Sequence, residues 1–325
     1  MQRLKKIKLP IFTFIFVFLI LSVVQLKLEN PIILLERFLK GGGWIEIMVI
    51  AFYGSYVMYK MQNPVHTPKW RIYTWTIFSI VFFSQLALGL LGFERFLMTG
   101  KLHLPIPFMI LSGPIYRSQL SVMTILFLST VILSGPAWCS QLCYFGAFDG
   151  LAAKNKRPKG KIRNKWAAKS TLLLLIIAVT IILRWLNVPL LYSTILAITF
   201  GIGGLGIILF ISRKKGKMYH CVTYCPIGTL VNFFRFANPF RMYIDSSCTL
   251  CMACTPKCRY DALNIDEIKN KKPGITCTLC GDCLPSCKEN SIKYKFLKLS
   301  PEKARNLYLF ITISLHSIFL ALARI

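Results

Sequence analysis

Eight cysteines fall in two runs of the same spacing. Cys248, Cys251, Cys254 and Cys258 read C-x2-C-x2-C-x3-C, and Cys277, Cys280, Cys283 and Cys287 repeat it. Thiolate sulfur is a soft ligand that suits iron–sulfur clusters and zinc better than hard cations. This doubled spacing is the ligand pattern of two [4Fe–4S] cubanes, in which three cysteines of one run hold a cluster and the fourth crosses to the other. Cluster one then takes Cys248, Cys251, Cys254 and Cys287. Cluster two takes Cys277, Cys280, Cys283 and Cys258. A zinc ribbon needs only two C-x2-C pairs. A third cysteine at the same short interval, twice over, is hard to place on one tetrahedral ion.

The other four of the 12 cysteines form a second repeat. Cys139 and Cys143 lie in Trp138–Gly146, and Cys221 and Cys225 in His220–Gly228; both stretches read C-x3-C-x2-G. On a helix, residues four apart share a side. Two facing pairs would supply four soft ligands, enough for a third cluster or another thiolate metal site. Four inert buried thiols, which pack as small apolar groups, or a redox-active dithiol pair are the other readings.

Most of the chain that must position these sulfurs is apolar. Hydrophobic residues make up 55% of the 325 and charged residues 16%, too few charges for a soluble domain. Seven runs approach the roughly 20 helical residues a hydrocarbon core demands: Leu9–Leu26, Trp44–Met61, Ile72–Gly92, Gln119–Trp138, Ser170–Trp185, Pro189–Ser212 and Leu307–Ala323. Each is expected to be helical, because lipid offers the backbone no partner. The first follows Arg3, Lys5, Lys6 and Lys8 without a small-residue cleavage site, so it reads as an anchor and not a signal peptide. The expected fold is mainly α: a polytopic helical membrane bundle of about seven spans, with a small α+β two-cluster domain inserted before the last helix. The boundaries are a membrane domain at 1–239, the insert at 240–300 and a final transmembrane helix at 301–325.

The net charge of +28 is accounted for by topology before nucleic acid. Most Lys and Arg fall on one side if the spans alternate from an inner N-terminus, as the positive-inside rule describes, and anionic lipid attracts them. The insert is then cytoplasmic, in a prokaryotic inner membrane, where a reducing medium keeps thiols free for ligation. Lys154, Lys156, Arg157, Lys159, Lys161, Arg163, Lys165 and Lys169 read as a flexible lipid-facing loop, or as a docking surface for an acidic carrier. Haem and nucleotide are not expected. The histidine well inside a span, His316, has no visible axial partner, and Gly201–Gly206 reads as close helix packing, not a phosphate loop.

The insert is small for a core of its own, and metal ligation would supply the missing stability. Ala262–Asp266 and Ser291–Lys295 occupy matching places after the fourth cysteines and are expected to be short strands. Catalytic residues are not legible. Glu46 and Glu94, at span ends, and His103 are weak candidates for accepting protons from a quinol, against ordinary interfacial anchoring. Leu102–Tyr116 carries Pro105, Pro107 and Pro114, so a straight span is not expected there.

Two C-x3-C motifs in a helical membrane core, followed by the doubled C-x2-C-x2-C-x3-C, resemble the NapH/NosR-type membrane polyferredoxins. The resemblance covers about Gln119–Arg305, and more loosely Gly41-Gly42-Gly43-Trp44-Ile45-Glu46. It implies an iron–sulfur electron-transfer subunit passing electrons between the quinol pool and a partner reductase system, a quinol dehydrogenase in that sense, with membrane lipid and redox proteins as partners. A redox maturation or sensor protein, for example a metal-ion reductase using the same clusters, is the alternative. The chain departs from the family pattern at Tyr144, where the first paired motif usually has proline, and at Arg259 and Lys288, where proline usually follows the fourth cysteine.

Overall fold

The computed structural model describes residues 2–28, 32–96, 106–120 and 122–322. Among them the helices run in order: α1 (Gln2–Lys27), α2 (Leu34–Phe38), α3 (Gly42–Met61), α4 (Thr67–Leu90), α5 (Pro107–Arg117), α6 (Val122–Ser134), α7 (Trp138–Gln141), α8 (Tyr144–Ala153), α9 (Lys165–Trp185), α10 (Leu190–Gly206), α11 (Arg213–Lys215), α12 (Pro226–Phe233), α13 (Ile265–Lys269) and α14 (Pro301–Leu322). Strands β1 (Arg241–Ile244) and β2 (Ile292–Lys295) form a two-stranded antiparallel sheet.

Six helical segments are long and apolar enough to cross a membrane: Lys6–Lys27, Thr67–Leu90, Thr124–Ala153, Lys165–Trp185, Leu190–Lys215 and Pro301–Leu322. Large apolar side chains on them stay bare, among them Ile11, Phe12, Leu174, Leu175, Ile202 and Phe210, as lipid favours and water does not. The chain is therefore a mainly helical membrane protein. The expected span at Trp44–Met61 is helical as α3, but Glu46, Gly54 and three tyrosines make it less apolar than those six.

The chain divides into two compact units. The first comprises residues 1–104, 141–144 and 298–325. Here α1 packs on α3 and α14 around Val17, Leu21, Ile47, Ala51 and Ala321. Gly54 lets α14 approach, since a methyl there would lie 2.6 Å from Ser317 Oγ. Arg305 donates to the Met61 and Gln62 carbonyls at 2.8 and 2.7 Å, tying the start of α14 to the end of α3. His316 shares a hydrogen bond with Tyr53 through Nε2 (3.0 Å) and meets the Gln141 carbonyl through Nδ1 (3.2 Å). Both ring nitrogens are thus committed to polar neighbours within this unit.

The second unit comprises residues 105–140 and 145–297. The proline-rich segment forms α5, whose 11 residues reach only about 16 Å at the helical rise. It lies against α9 and α12, with Phe108 on Ile176 and Ala197, so the expectation of no straight span holds. After α6 the chain breaks at Gly135, whose φ is +56°. Glycine is required twice over: the backbone is left-handed, and a methyl would lie 2.6 Å from Asn238 Cγ. Asn238 Nδ2 donates to the Ile132 and Leu133 carbonyls at 2.9 and 3.1 Å, satisfying the carbonyls that the break frees.

In the insert, Arg241 pairs with Lys295 and Ile244 with Ile292. Met242, Ile244, Ile292 and Tyr294 are buried, as strand alternation predicts. The strand expected at Ser291–Lys295 is present as β2. The one expected at Ala262–Asp266 is not. An Asn264–Glu267 capping box starts α13 there, and β2 pairs instead with the segment before the first cysteine run.

The insert is seated on the helix ends of its own unit through one buried carboxylate. Asp261 pairs with Lys217 and with Lys165 (3.2 Å), and accepts from the Ile162 N–H at 3.0 Å. Lys161 adds an exposed pair with Asp266 at 2.6 Å, and Arg259 donates to the Ala153 and Lys154 carbonyls. The Lys154–Lys169 run is thus tied down in part: Lys161 and Lys165 find carboxylates on the insert and Lys169 is buried, while Lys154, Lys156, Arg157, Lys159 and Arg163 stay exposed. Replacing Asp261 with alanine strands two cations at once, and breaking a buried pair costs about 3–5 kcal/mol. Thermal unfolding of the anaerobic protein in detergent is expected to show that loss; an unchanged transition would mean the seat carries no weight.

Candidate iron–sulfur centres

The two cysteine runs are folded alike. Leu250 and Met252 in the first, and Leu279 and Gly281 in the second, are left-handed, and Asp261 and Asn290 follow at matching offsets. A 3-10 turn precedes each fourth cysteine, Thr255–Lys257 and Leu284–Ser286, with Pro256 and Pro285 at the same place. The Ala262 N–H donates to Cys258 Sγ, and the Ser291 N–H to Cys287 Sγ, both at 3.2 Å. Alternating left-handed residues turn successive N–H groups inward and make a nest for negative charge. Holding Leu250, Met252 and Leu279 there costs of order 1 kcal/mol or more each, which ligation offsets. Tyr294 of β2 fixes one of these corners by donating to the Leu279 carbonyl at 2.6 Å. Arg259 and Lys288, the two departures from proline, leave the loop shape intact.

Thiols of the two runs act on one another. Burial, and then the neighbouring Cys287, Cys248 and Cys251, push Cys254 up to about 11. Cys258 is raised by burial and by Cys280 and Cys277. Cys283 is raised by burial and by Cys280, Cys258 and Cys277. Cys258 of the first run thus neighbours Cys277, Cys280 and Cys283 of the second, and Cys287 neighbours Cys254. A cavity lined by Cys258, Cys277, Cys280 and Cys283 lies within the second set. Four zinc-bound sulfurs stand within about 4 Å of one another, from a 2.3 Å bond and tetrahedral angles. Among the described residues no three Cys, His, Asp or Glu side chains close on one point in that way. Thiols that resist ionisation alone, ringed by inward N–H groups, fit a cage that displaces their protons.

The second thiol set is built where helices are interrupted. All four of its cysteines are buried. Cys139 lies in α7, just after the Gly135 break. Cys221 sits in a π-helical stretch, His220–Tyr224, and Cys225 is the extended N-cap of α12. The Cys225 N–H reaches the His220 carbonyl at 2.8 Å. Neither pair is thus an ordinary i, i+4 pair on an α-helix, as the spacing had suggested. Pro226 starts α12, and Tyr144 starts α8 at the equivalent place without proline. Cys143 falls in the first unit, where its carbonyl accepts from Trp75 Nε1 at 2.6 Å. In the second unit Cys139, Cys221 and Cys225 surround the head of Lys169. The Gly228 N–H donates to Cys225 Sγ at 3.4 Å. Burial raises the Cys225 thiol, and the Gly228 N–H and Lys169 oppose that rise.

This set adjoins cluster two. Ser140 Oγ donates to the Thr278 carbonyl at 3.2 Å, next to Cys277. Tyr260 Oη, two residues after Cys258, donates to the Cys139 carbonyl at 3.4 Å.

Sequence reasoning missed two further groups here. Asp149 Oδ2 accepts from the Cys221 N–H at 2.9 Å. His220 packs against Gly204, where a methyl would lie 2.8 Å from its Cε1, which bears out close packing at the glycine run. Asp149 Oδ1 and both His220 nitrogens are buried without a hydrogen-bond partner among the described residues. The expected span ended at Trp138, which left Asp149 outside it; the helical segment runs on to Ala153 and places the acid within it. Of the quinol candidates, Glu46 accepts from the Leu35 N–H at 2.7 Å, tying α2 to α3. Glu94 lies in the 3-10 turn Glu94–Phe96. His103 lies outside the described residues.

Residues 119–167 and 197–240 match the family model described as "4Fe-4S binding domain". These stretches contain Cys139, Cys143, Cys221 and Cys225, and none of the eight insert cysteines. No curated protein and no solved structure matches the chain significantly. With its apolar helices, the chain is a membrane protein with a 4Fe-4S binding domain.

Crossed ligation has a direct test. Cys258→Ser lies in the first run, yet its low-temperature electron paramagnetic resonance spectrum is expected to match that of Cys283→Ser. A match to Cys254→Ser would mean that each run holds its own cluster.

Proposed function

We propose that the chain is a membrane electron-transfer subunit that takes electrons from quinol and passes them through its iron–sulfur centres to a partner reductase system. Two [4Fe–4S] clusters in the insert, and a third thiolate-held centre that draws on Cys139, Cys221 and Cys225, are part of this reading. The observation that carries it is the pair of hydrogen bonds joining Cys139 and Ser140 to the loop of cluster two. Each cluster, when bound, takes up and releases one electron at a time. Quinol gives up two electrons and two protons to become quinone, with the protons leaving to water.

The residues set an order for this transfer. The paired thiols are buried where the membrane helices are interrupted, at the side of the insert loop that Ser140 and Tyr260 hold. Ser140 and Tyr260 hold the cluster-two loop against them. The crossed cysteines Cys258 and Cys287 interleave the two insert sites. Cys251, a cluster-one ligand, is exposed and offers a port to a soluble partner. The NapH/NosR-type resemblance, a cytoplasmic insert and a prokaryotic inner membrane belong to the same proposal. So does the site of quinol oxidation, now drawn toward the paired thiols and away from Glu46 and Glu94.

The test is anaerobic addition of quinol to the full chain in lipid vesicles. Cluster absorbance is expected to bleach. Cys225→Ser is expected to slow that bleaching at least tenfold while dithionite still reduces both insert clusters. Clusters that ignore quinol but are oxidised by cupric ion would overturn the quinol reading in favour of a metal-ion reductase.

A further inference from the structure

Lys169 is a deeply buried cation that the electron-transfer scheme leaves without a task. It is 2% exposed, and it stands one turn after Lys165 on the same face of α9. Lys165 answers a carboxylate, Asp261. Lys169 is turned to sulfur: its Nζ lies beside the Cys225–Gly228 turn, and Cys139, Cys225 and Cys221 act on its charge. A methyl at Gly228 would stand 3.5 Å from Lys169 Nζ and 3.0 Å from the Cys221 carbonyl oxygen. The close Cys221 carbonyl is what favours glycine here, and Lys169 Nζ lies at ordinary contact distance from the same turn. No carboxylate forms a salt bridge with Lys169 among the described residues.

An unpaired ammonium in a buried site costs several kcal/mol. A buried lysine is either driven to its neutral form or met by an anion. Neutral thiols would leave the cost unpaid for. Thiolates around a metal centre carry net negative charge and would cancel it. The Gly228 N–H on Cys225 Sγ points the same way, because N–H groups aimed at sulfur favour the thiolate.

We propose that Lys169 is the built-in counter-charge of an anionic metal–thiolate centre at the paired cysteines, and that it sets the reduction potential of that centre. This rests on the reading that Cys139, Cys221 and Cys225 hold metal. Lys169 acts through charge and is a positioning residue, not a ligand. The potential of an iron–sulfur centre follows its net charge and the hydrogen bonds to its sulfurs. A fixed cation beside it favours the reduced state, and removing that cation makes reduction harder.

The experiment is a redox titration of the anaerobic full chain in detergent, followed by low-temperature electron paramagnetic resonance, with iron and sulfide assayed on the same samples. Wild type is expected to carry iron beyond the roughly eight that two cubanes contain. Lys169→Met is expected to shift the midpoint of the additional centre to more negative potential, or to lose that centre, with the insert signals unchanged. Lys169→Arg, which keeps the charge, is expected to restore the wild-type midpoint. Lys169→Gln is the neutral variant to use if Lys169→Met does not accumulate. An additional centre whose midpoint is the same with either neutral side chain would overturn the role given to Lys169. Wild type with about eight irons and only the two insert signals would instead remove the metal reading beneath it.

Discussion

A buried carboxylate holds the redox part of this protein in place. Asp261 sits left-handed just after the fourth cysteine of the first run, with Lys165 and Lys217 on its oxygens and the Ile162 N–H beside them. A buried carboxylate with a single partner would destabilise the fold; with two cations and an N–H it is satisfied and sets register. The register matters because Tyr260 is the preceding residue. Its hydroxyl reaches the Cys139 carbonyl, so the bond that seats the insert also sets the cluster-two loop against the paired thiols. Moving Asp261 moves both.

Sulfur needs opposite charge nearby, and the chain supplies it in three forms. Inward N–H groups from left-handed corners line the insert loops. Backbone donors at Ala262, Ser291 and Gly228 bind Cys258, Cys287 and Cys225 directly. Lysines at the ends of membrane helices do the rest. The excess of 40 Lys and Arg over 12 Asp and Glu thus serves more than membrane topology. Part of it is structural, spent on Asp261 and Asp266, and Lys169 is turned inward to the thiols. Positive-inside bias and cluster chemistry draw on the same residues, because both place cations where helices meet the aqueous face.

The fold and the site were legible to different depths. The apolar runs marked the spans because lipid leaves the backbone only the helix, and the prolines of 105–114 correctly argued against a straight crossing. The two insert cysteine runs fold alike, as their equal spacing implied. The failures are local and physical. Ala262–Asp266 has an apolar pattern that fits a strand, but the Asn264–Glu267 capping box committed it to α13. Lys161 and Lys165 looked solvated because their charge was visible and their partners, more than ninety residues away at Asp266 and Asp261, were not. The paired C-x3-C motifs were taken as i, i+4 pairs, whereas a π-turn and an extended cap carry Cys221 and Cys225.

Residue type and short spacing by themselves determined the donor set, the membrane class and the count of thiols, because ligand chemistry and lipid solvation act on a few neighbouring residues. Only the tertiary structure decided that Lys169 turns to the paired thiols, and that the Cys139 carbonyl meets Tyr260 just after the first cysteine run. Those outcomes depend on contacts between segments distant in the chain, where burial and charge pairing choose among partners that the order of residues leaves equivalent.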